Sequence, residues 1–268
     1  MSEMPASIPV TEPDPSALDV QRLEGGLCVM AFQRADRMNA LDPYAAAALR
    51  EALRDAMADP ALRVIVLHGA GGHFCTGFDL KHQRVPGEEG ALKILQDCFE
   101  LLRSGPLPSI AAVEGNAFGA GLSLALACDQ IVAAKASKMC APFTGIGLVP
   151  DVGMALTLER RVGIGRATRW MFEGTVLRAD EAHGHGLVDS LVEAGQALAF
   201  AVEQARRWTL RAPLAIAAVR QLTRLAPERA ESCMAEERRL QAALAASADF
   251  AEGVSAFRER RPPRFQGR

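Results

Sequence analysis

Two short, uninterrupted apolar runs constrain the fold of this chain most strongly. The first is RVIVLHG at 63–69 and the second is PSIAAV at 108–113, and neither alternates apolar with polar residues. Such runs are typical of strands buried on both faces, as in parallel sheets covered by helices. Further strands are predicted at 27–32, 130–134 and 138–141. The sequence therefore predicts an α/β fold with a parallel sheet.

Helical patterns fill the intervals between these strands and dominate the chain after residue 151. The first helix is predicted at 43–57, because Asp42 is a good N-cap and Pro43 suits the first helical position. The other predicted helices are 92–103, 121–127, 151–161, 166–172, 179–183, 196–210, 214–225, 228–245 and 249–259. We therefore expect a mixed α/β core followed by a helical C-terminal part.

Composition and charge exclude several classes of function. The 268 residues carry a formal net charge of −2, whereas proteins that mainly bind nucleic acid need a concentrated basic surface. No apolar run reaches the roughly 18–20 residues of a membrane span. Residues 1–17 contain several prolines and lack the basic start and apolar centre of a signal peptide. We therefore expect a disordered lead-in and a cytoplasmic protein.

Neither the cysteines nor the histidines favour a metal site. The six cysteines include no CxxC pair, so we expect neither a disulfide framework nor a zinc site. His183 and His185 have a spacing that could suit a metal, but we expect none there. Cys75 and His73 resemble a nucleophile and its base, but a packed thiol is the favoured interpretation.

Three loops at the ends of predicted strands are candidate ligand sites, because ligands of open α/β folds bind beyond the carboxyl ends of the strands. The glycine-rich segment 69–80 lacks the Lys-Ser/Thr of a P-loop and the third glycine of a dinucleotide fingerprint. It is either a backbone binding site or a tight surface turn. At 114–129, small residues precede an apolar helix whose first N–H groups suit an anion. Close packing of helix against strand is the other interpretation.

The third loop, at 145–153, contains one carboxylate among apolar residues. Asp151 lies at a predicted helix start, where an aspartate commonly serves as N-cap. An acid in apolar surroundings is also typical of a catalytic carboxylate. The residues alone leave both interpretations open.

Several segments, in order along the chain, resemble motifs of the enoyl-CoA hydratase/isomerase (crotonase) family. RADRMNAL at 34–41 resembles the family's Arg-Pro-x-x-x-Asn-Ala-Leu, and HFCTGFDL at 73–80 resembles its Phe-x-Ala-Gly-x-Asp-Leu loop. The segment 115–129 resembles its glycine-rich helix start with a closing Cys-Asp. Three further matches are GLVPD at 147–151, AHGHGLV at 182–188 and FRER at 257–260. The resemblance covers about residues 18–265.

The resemblance implies a crotonase-like spiral of ββα repeats over 18–195. It also implies a helical oligomerisation region over 196–268 that forms a homotrimer or homohexamer. In the family, two backbone N–H groups form an oxyanion hole for a thioester enolate, and here these would be the N–H groups of Phe78 and Ala120. Two such donors in a dry site contribute several kcal/mol to transition-state stabilisation. The substrate would be an acyl-CoA, with no further cofactor, no metal, no nucleic acid and no membrane partner.

The same motifs imply where coenzyme A binds. The expected CoA-binding residues are Arg37, Met38, Phe78, Asp79, Leu80, Phe257 and Arg260. Arg260 would reach the CoA phosphates, with Phe257 packed beside the adenine. For the basic end of the chain, which also contains Arg258 and Arg261, a solvated tail is the alternative interpretation.

Two departures from the family pattern indicate the chemistry. Hydratases of the family carry two glutamates that activate water, and the matching positions here are Ser123 and Phe143, both expected at the substrate. Neither side chain exchanges a proton at neutral pH, so classical hydration is not expected. Asp151 matches the carboxylate with which isomerases of the family move a proton between C2 and C4. The same position is the nucleophile of its aromatic acyl-CoA dehalogenases.

The resemblance therefore favours an enoyl-CoA isomerase in which Asp151 carries the proton. Weak hydratase, dehalogenase, thioesterase or C–C hydrolase activity is the alternative within the family. A catalytically silent acyl-CoA-binding trimer is the alternative from another functional class. An RNA-binding role, known in one branch of the family, is disfavoured by the net charge.

Overall fold

A six-stranded sheet is the largest sheet of the fold. The computed structural model describes residues 11–82, 90–211, 213–223, 234, 238, 242–243, 245–261 and 263. The strands are β1 (Leu18–Leu23), β2 (Leu27–Phe32), β3 (Val64–Gly69), β4 (Ser109–Val113), β5 (Asn116–Phe118), β6 (Gln130–Ala134), β7 (Lys138–Cys140), β8 (Leu177–Arg178) and β9 (Ser190–Val192). The six-stranded sheet has the order β1-β2-β3-β4-β6-β9, and β1 is its one antiparallel strand. A smaller sheet has the order β5-β7-β8.

Helices cover both faces of the larger sheet. The core with α1, α2 and α3 lies on one face and α7 lies on the other. The helices of the described residues are α1 (Pro43–Ala58), α2 (Ala91–Ser104), α3 (Ala120–Ala127), α4 (Met154–Val162), α5 (Ile164–Glu173), α6 (Ala179–Gly184), α7 (Ala197–Thr209), α8 (Pro213–Thr223) and α9 (Ala248–Glu259). The predicted α/β fold is confirmed, including the parallel arrangement of β2, β3, β4 and β6.

The two apolar runs form β3 and β4 because each strand is buried on both faces. Val64 and Val66 of β3 face α7, whereas Ile65 and Leu67 face the core formed with α1, α2 and α3. On the α7 side, the small residues Ala197, Ala201 and Ala205 repeat every four positions and let the helix lie close to the strands. This burial explains why neither run alternates with polar residues.

The first helix begins where the sequence predicts it. Pro43 is its first residue, and the side chain of Asp42 accepts a hydrogen bond from the Ala45 N–H at 2.9 Å. This bond satisfies one of the amide groups that a helix leaves unpaired at its start.

The fourth helix corrects the prediction for Asp151. The helix predicted from residue 151 begins at Met154, and Gly153 in the left-handed conformation precedes it as N-cap. Asp151 lies two residues before that cap, and its carbonyl oxygen accepts a hydrogen bond from the Met154 N–H at 3.1 Å. The N-cap interpretation of Asp151 is therefore wrong.

The structure also differs from the predictions near the amino terminus. Residues 11–17, part of the predicted disordered lead-in, are folded. Pro15–Ala17 forms a 3-10 helix capped by the Asp14 side chain, and buried Ala17 accepts a hydrogen bond from the Gln33 N–H at 2.9 Å. Residues 1–10 lie outside the described residues, and the helix predicted at 228–245 falls mostly outside them.

Four strands were not predicted, namely β1, β5, β8 and β9. The last three span only two or three residues each, too few for a hydrophobic pattern to emerge. Within the described ranges, no helix is both long and apolar enough to cross a membrane.

Candidate active site

The start of α3 meets the glycine-containing segment 75–79. A backbone bridge joins Cys75 to Ala117 of β5, and the Phe118 N–H donates to the Cys75 carbonyl at 3.0 Å. On its other side, the segment pairs with Leu41, whose N–H donates to the Gly77 carbonyl at 2.8 Å. The segment is thus held between β5 and the chain that precedes α1.

One of the two N–H groups predicted to form an oxyanion hole lies in the segment 75–79, and the other lies at the start of α3. Phe78 follows Gly77 in the segment, and Ala120 is the first residue of α3. Neither the Phe78 nor the Ala120 N–H donates a hydrogen bond to any other described residue. Because the first amides of a helix lack intrahelical acceptors and carry a partial positive charge, these donors suit an oxyanion.

All of α3 is buried, so these donors belong to a dry part of the molecule. Its eight residues include no charged side chain, and its residue Ser123 is fully buried. Electrostatic interactions in such surroundings are stronger than in water. The Ala120 N–H therefore fits the preorganised donor that enolate stabilisation requires.

Asp151 is fully buried and is tied to the first turn of α3 through Ser123. The Ser123 hydroxyl lies 2.9 Å from the carbonyl oxygen of Asp151 and 3.3 Å from that of Gly119, the residue before Ala120. One hydroxyl thus contacts both the Asp151 loop and the turn that presents the Ala120 N–H. That Ser123 also contacts substrate stays a prediction.

Phe143 lies at the same turn. It begins a 3-10 helix, Phe143–Ile146, and its side chain is almost completely buried. The Cζ atom of its ring lies 3.9 Å from the position that a Cβ on Gly119 would take. The structure thus places an apolar ring beside the turn before α3, and the match of Phe143 to a hydratase glutamate stays a prediction.

The predicted CoA-binding residues near the first motif form an ion-paired cluster. Nη1 of Arg37 lies 2.6 Å from Oδ2 of Asp79, whose side chain is nearly buried. Burial alone would raise the pKa of Asp79. The hydrogen bonds from Arg37 and the Lys81 N–H, with the charges of Arg37 and Arg34, outweigh it and hold that pKa below its ordinary value. Asp79 is therefore an anion that orients Arg37.

Asn39 is a structural residue of this cluster to which the sequence analysis assigned no role. Its side-chain amide donates to the carbonyls of Ala70 and His73 at 2.9 and 2.7 Å, and its oxygen accepts from the Arg34 N–H at 2.9 Å. Asn39 thus fastens the loop that carries Arg37 and Met38 to the end of β3. The match of Asn39 to the asparagine of the family pattern at 34–41 is the sequence signal that could have revealed it.

The C-terminal helix α9 reaches the same cluster within one chain. Nη2 of Arg258 lies 3.4 Å from the carbonyl oxygen of Leu80, a contact that the sequence analysis missed. Phe257 is exposed, and Arg260 ends the helix in the left-handed conformation. The structure therefore brings the end of α9 to the predicted CoA-binding loop, while the roles of Phe257 and Arg260 stay predictions.

Two other candidate sites have a structural explanation. Burial raises the pKa of the Cys75 thiol to about 12, although the Gly77 N–H donates to the sulfur. The Nδ1 atom of His73 accepts a hydrogen bond from the Asn116 N–H at 3.2 Å.

The histidine considered for a metal has a backbone partner, because His183 Nδ1 lies 2.9 Å from the Val188 carbonyl. Among the described residues, no group of three or more His, Cys, Asp or Glu side chains is placed to hold a metal.

Comparison with known proteins shows the family of this chain. The model of the enoyl-CoA hydratase/isomerase family matches residues 22–268. A probable enoyl-CoA hydratase of Rhodobacter capsulatus is 38% identical over 260 residues, covering 91% of this chain and 95% of the relative. The 1,2-epoxyphenylacetyl-CoA isomerase of Escherichia coli is 31% identical over 257 residues, covering 93% and 98%.

A solved structure extends the likeness to the fold. The enoyl-CoA hydratase/isomerase of Pseudoalteromonas atlantica superposes with a TM-score of 0.87 at 32% identity, covering 93% of this chain and all of that one. The sequence motifs, the crotonase fold and the family model thus agree over almost the whole chain. The chain belongs to the enoyl-CoA hydratase/isomerase family, whose members act on acyl-CoA thioesters.

Proposed function

We propose that this protein is an enoyl-CoA isomerase in which Asp151 carries a proton between C2 and C4 of the acyl chain. One observation carries the proposal: Ser123 ties the buried Asp151 loop to the turn of α3 that presents the Ala120 N–H. A single carboxylate is sufficient for isomerisation, because the proton that it removes is the proton that it returns.

The reaction would proceed in two proton transfers. The Asp151 carboxylate removes a proton from C2 of a 3-enoyl-CoA, and the C2–H electrons move into the thioester to give a dienolate. The N–H groups of Phe78 and Ala120 stabilise the negative oxygen. The protonated Asp151 then returns the proton to C4, which leaves the double bond between C2 and C3.

The residues at the two positions where hydratases of the family have glutamates favour isomerisation over hydration. The Ser123 hydroxyl lies within hydrogen-bond distance of the Asp151 and Gly119 carbonyls, and Phe143 contributes only an apolar ring beside Gly119. Neither can activate a water molecule by accepting its proton near neutral pH. Among the similar proteins, one is named an isomerase that acts on an aromatic acyl-CoA, whereas others are named hydratases.

Three predictions accompany this proposal. The acyl-CoA thioester is the only coenzyme-containing molecule that the reaction needs, so no separate cofactor takes part. The protein acts as a homotrimer or homohexamer, and it acts in the cytoplasm. The family model and the similar enzymes named for acyl-CoA substrates support an acyl-CoA as its main partner.

The variant Asp151→Asn tests the proposal, with trans-3-hexenoyl-CoA as substrate. Asparagine keeps the size and most hydrogen bonding of the side chain but cannot act as a base. We expect kcat to fall by roughly 10²–10⁴-fold, with little change in the affinity for CoA. Wild-type turnover in Asp151→Asn would exclude Asp151 as the proton carrier and favour another chemistry of the family, whereas absent turnover in the wild type would favour a silent acyl-CoA binder.

Asp189→Asn is the matched control for a structural carboxylate. Asp189 accepts a hydrogen bond from the Ile131 N–H at 2.7 Å and pairs at 2.8 Å with Arg161, which contacts the Cys128 carbonyl at the opposite end of α3 from Ala120. We expect this variant to lower the melting temperature while keeping kcat. A melting temperature and a turnover number measured for both variants therefore separate a structural loss from a chemical one.

A further inference from the structure

The loop that carries Asp151 has a strained backbone. Val152 adopts the left-handed conformation with φ of 50°, and its side chain is fully buried. For a β-branched residue this conformation is a genuine outlier, and such strain persists only where the surrounding structure holds it. Strain of this kind is concentrated at functional sites.

The next residue, Gly153, is held on one side by an aromatic ring. It has φ of 70°, and a Cβ atom there would lie 2.3 Å from the Cζ atom of Phe99. On the helix side, the Thr157 hydroxyl donates to the Gly153 carbonyl at 3.1 Å. The loop is therefore fixed after Asp151 by packing and by a hydrogen bond from α4.

Ser123 holds the loop at Asp151 itself. Its hydroxyl has one proton and two possible acceptors, the carbonyl oxygens of Asp151 at 2.9 Å and Gly119 at 3.3 Å. The shorter distance favours donation to Asp151. The bond joins residues 28 positions apart and is buried, so its loss would remove from the Asp151 carbonyl, which also accepts from the Met154 N–H at 3.1 Å, the donor that ties it to α3.

We propose that Ser123 is a positioning residue that sets the place of the Asp151 carboxylate relative to the Ala120 N–H. Its hydroxyl holds the Asp151 backbone against the first turn of α3, so the base and one oxyanion donor share a single anchor. This inference rests on the proposed function, because it needs Asp151 to act as the base. A misplacement of about 1 Å at a reacting group can cost about 10²-fold in rate.

Removal of the hydroxyl gives the first test. With trans-3-hexenoyl-CoA, we expect Ser123→Ala to lower kcat by about 10–100-fold and to leave KM within about twofold of wild type. Ser123→Thr restores a hydroxyl and is expected to recover most of that loss. A kcat of Ser123→Ala equal to wild type would overturn the inference.

Ser137→Ala is the control for the loss of a buried serine hydroxyl. Ser137 is also fully buried, and its hydroxyl donates to the Val113 carbonyl at 3.0 Å, outside the candidate site. We expect Ser137→Ala to lower the melting temperature about as much as Ser123→Ala does, with wild-type kcat. An equal fall of kcat in both variants would mean that Ser123 acts only through general stability, and would overturn the inference.

A double-mutant cycle shows whether Ser123 acts through Asp151. In an Asp151→Asn background, measured with enzyme in excess over substrate, adding Ser123→Ala should change the rate by less than about twofold. If the rate loss of the double variant instead equals the product of the losses of the two single variants, the positioning inference is overturned, although Asp151 can still be the base. Wild-type turnover in Asp151→Asn alone would instead refute the proposed function, and the positioning role with it.

Discussion

Gly77 lies so close to the start of α3 that a Cβ atom on it would be 3.1 Å from the backbone nitrogen of Ala120. The same Cβ would lie 3.0 Å from the Phe118 carbonyl oxygen, and Gly77 has φ of 90°. The segment before Phe78 therefore approaches the segment before Ala120 with no side chain between them. This approach sets the separation of the two N–H groups that we propose bind the enolate.

We expect Gly77→Ala to disrupt the oxyanion hole. The added methyl group would push against the backbone that presents the Ala120 N–H, and the positive φ strains any residue with a Cβ. Loss or displacement of one oxyanion donor typically costs about 10²–10³-fold in kcat, so a fall of that size is expected with trans-3-hexenoyl-CoA. Gly165→Ala, where a Cβ meets no atom within 4 Å, is the control and should keep wild-type kcat.

Much of the fold could be predicted because the signals are local. The strands at 27–32 and 130–134 have the predicted bounds, and α1 begins at Pro43 because its cap lies next to it in sequence. Strand β1 was missed because it lies at the edge of the sheet, where only one of its six residues is buried. A strand with so little burial carries no clear hydrophobic pattern.

The site could be predicted only in part. The motifs gave the positions of Phe78, Ala120 and Asp151, but the Ser123–Asp151 hydrogen bond joins α3 to the loop before α4, between residues 28 positions apart. The Arg258–Leu80 contact spans 178 residues. Such contacts depend on tertiary packing and leave no periodic or spacing signal in the sequence. The left-handed Val152 was also unpredictable, because β-branched residues disfavour that conformation.

Hydration should be a weak activity of this protein. With Ser123 and Phe143 at the two glutamate positions, no general acid and base pair acts on water, and such a pair typically supplies on the order of 10⁴-fold or more. We expect the turnover of crotonyl-CoA to 3-hydroxybutyryl-CoA to lie far below the isomerisation of trans-3-hexenoyl-CoA by the same preparation. Hydration as fast as isomerisation would contradict the assignment of these two positions.

The Cys75 thiol should be inert in the native protein. Burial raises its pKa to about 12, and the thiolate is the reactive form of cysteine. Iodoacetamide at about pH 8 should therefore leave Cys75 unmodified in the folded protein and modify it after denaturation, as measured by mass spectrometry of the Cys75 peptide. Rapid native modification of Cys75 would restore the nucleophile interpretation for Cys75 and His73.

The protein should assemble as a trimer or a hexamer. Among the described residues of the C-terminal part, Phe200, Leu210 and Val219 expose large apolar side chains, with Leu210 84% exposed. Contacts between subunits would remove such surface from water. Light scattering at micromolar concentration should give three or six times the mass of the chain, and a monomeric mass would contradict the prediction.

The Arg37–Asp79 pair should make stability depend on pH in the acidic range. The folded pKa of Asp79 is lower than that of an unfolded aspartate, which is about 3.9, so the unfolded chain binds more protons near that pH. The contribution of Asp79 to stability is therefore complete above about pH 5 and is lost as the pH falls through about 4 towards the folded pKa. Melting temperatures of wild type should decline over this interval more steeply than those of Asp79→Asn, which cannot titrate at this position.

Asp36→Asn is the matched control, because Asp36 also faces Arg37, at 3.7 Å, but its side chain is 80% exposed. We expect Asp36→Asn to keep the wild-type slope, and an Asp79→Asn slope equal to wild type would contradict the assignment of Asp79 as the anion of this pair.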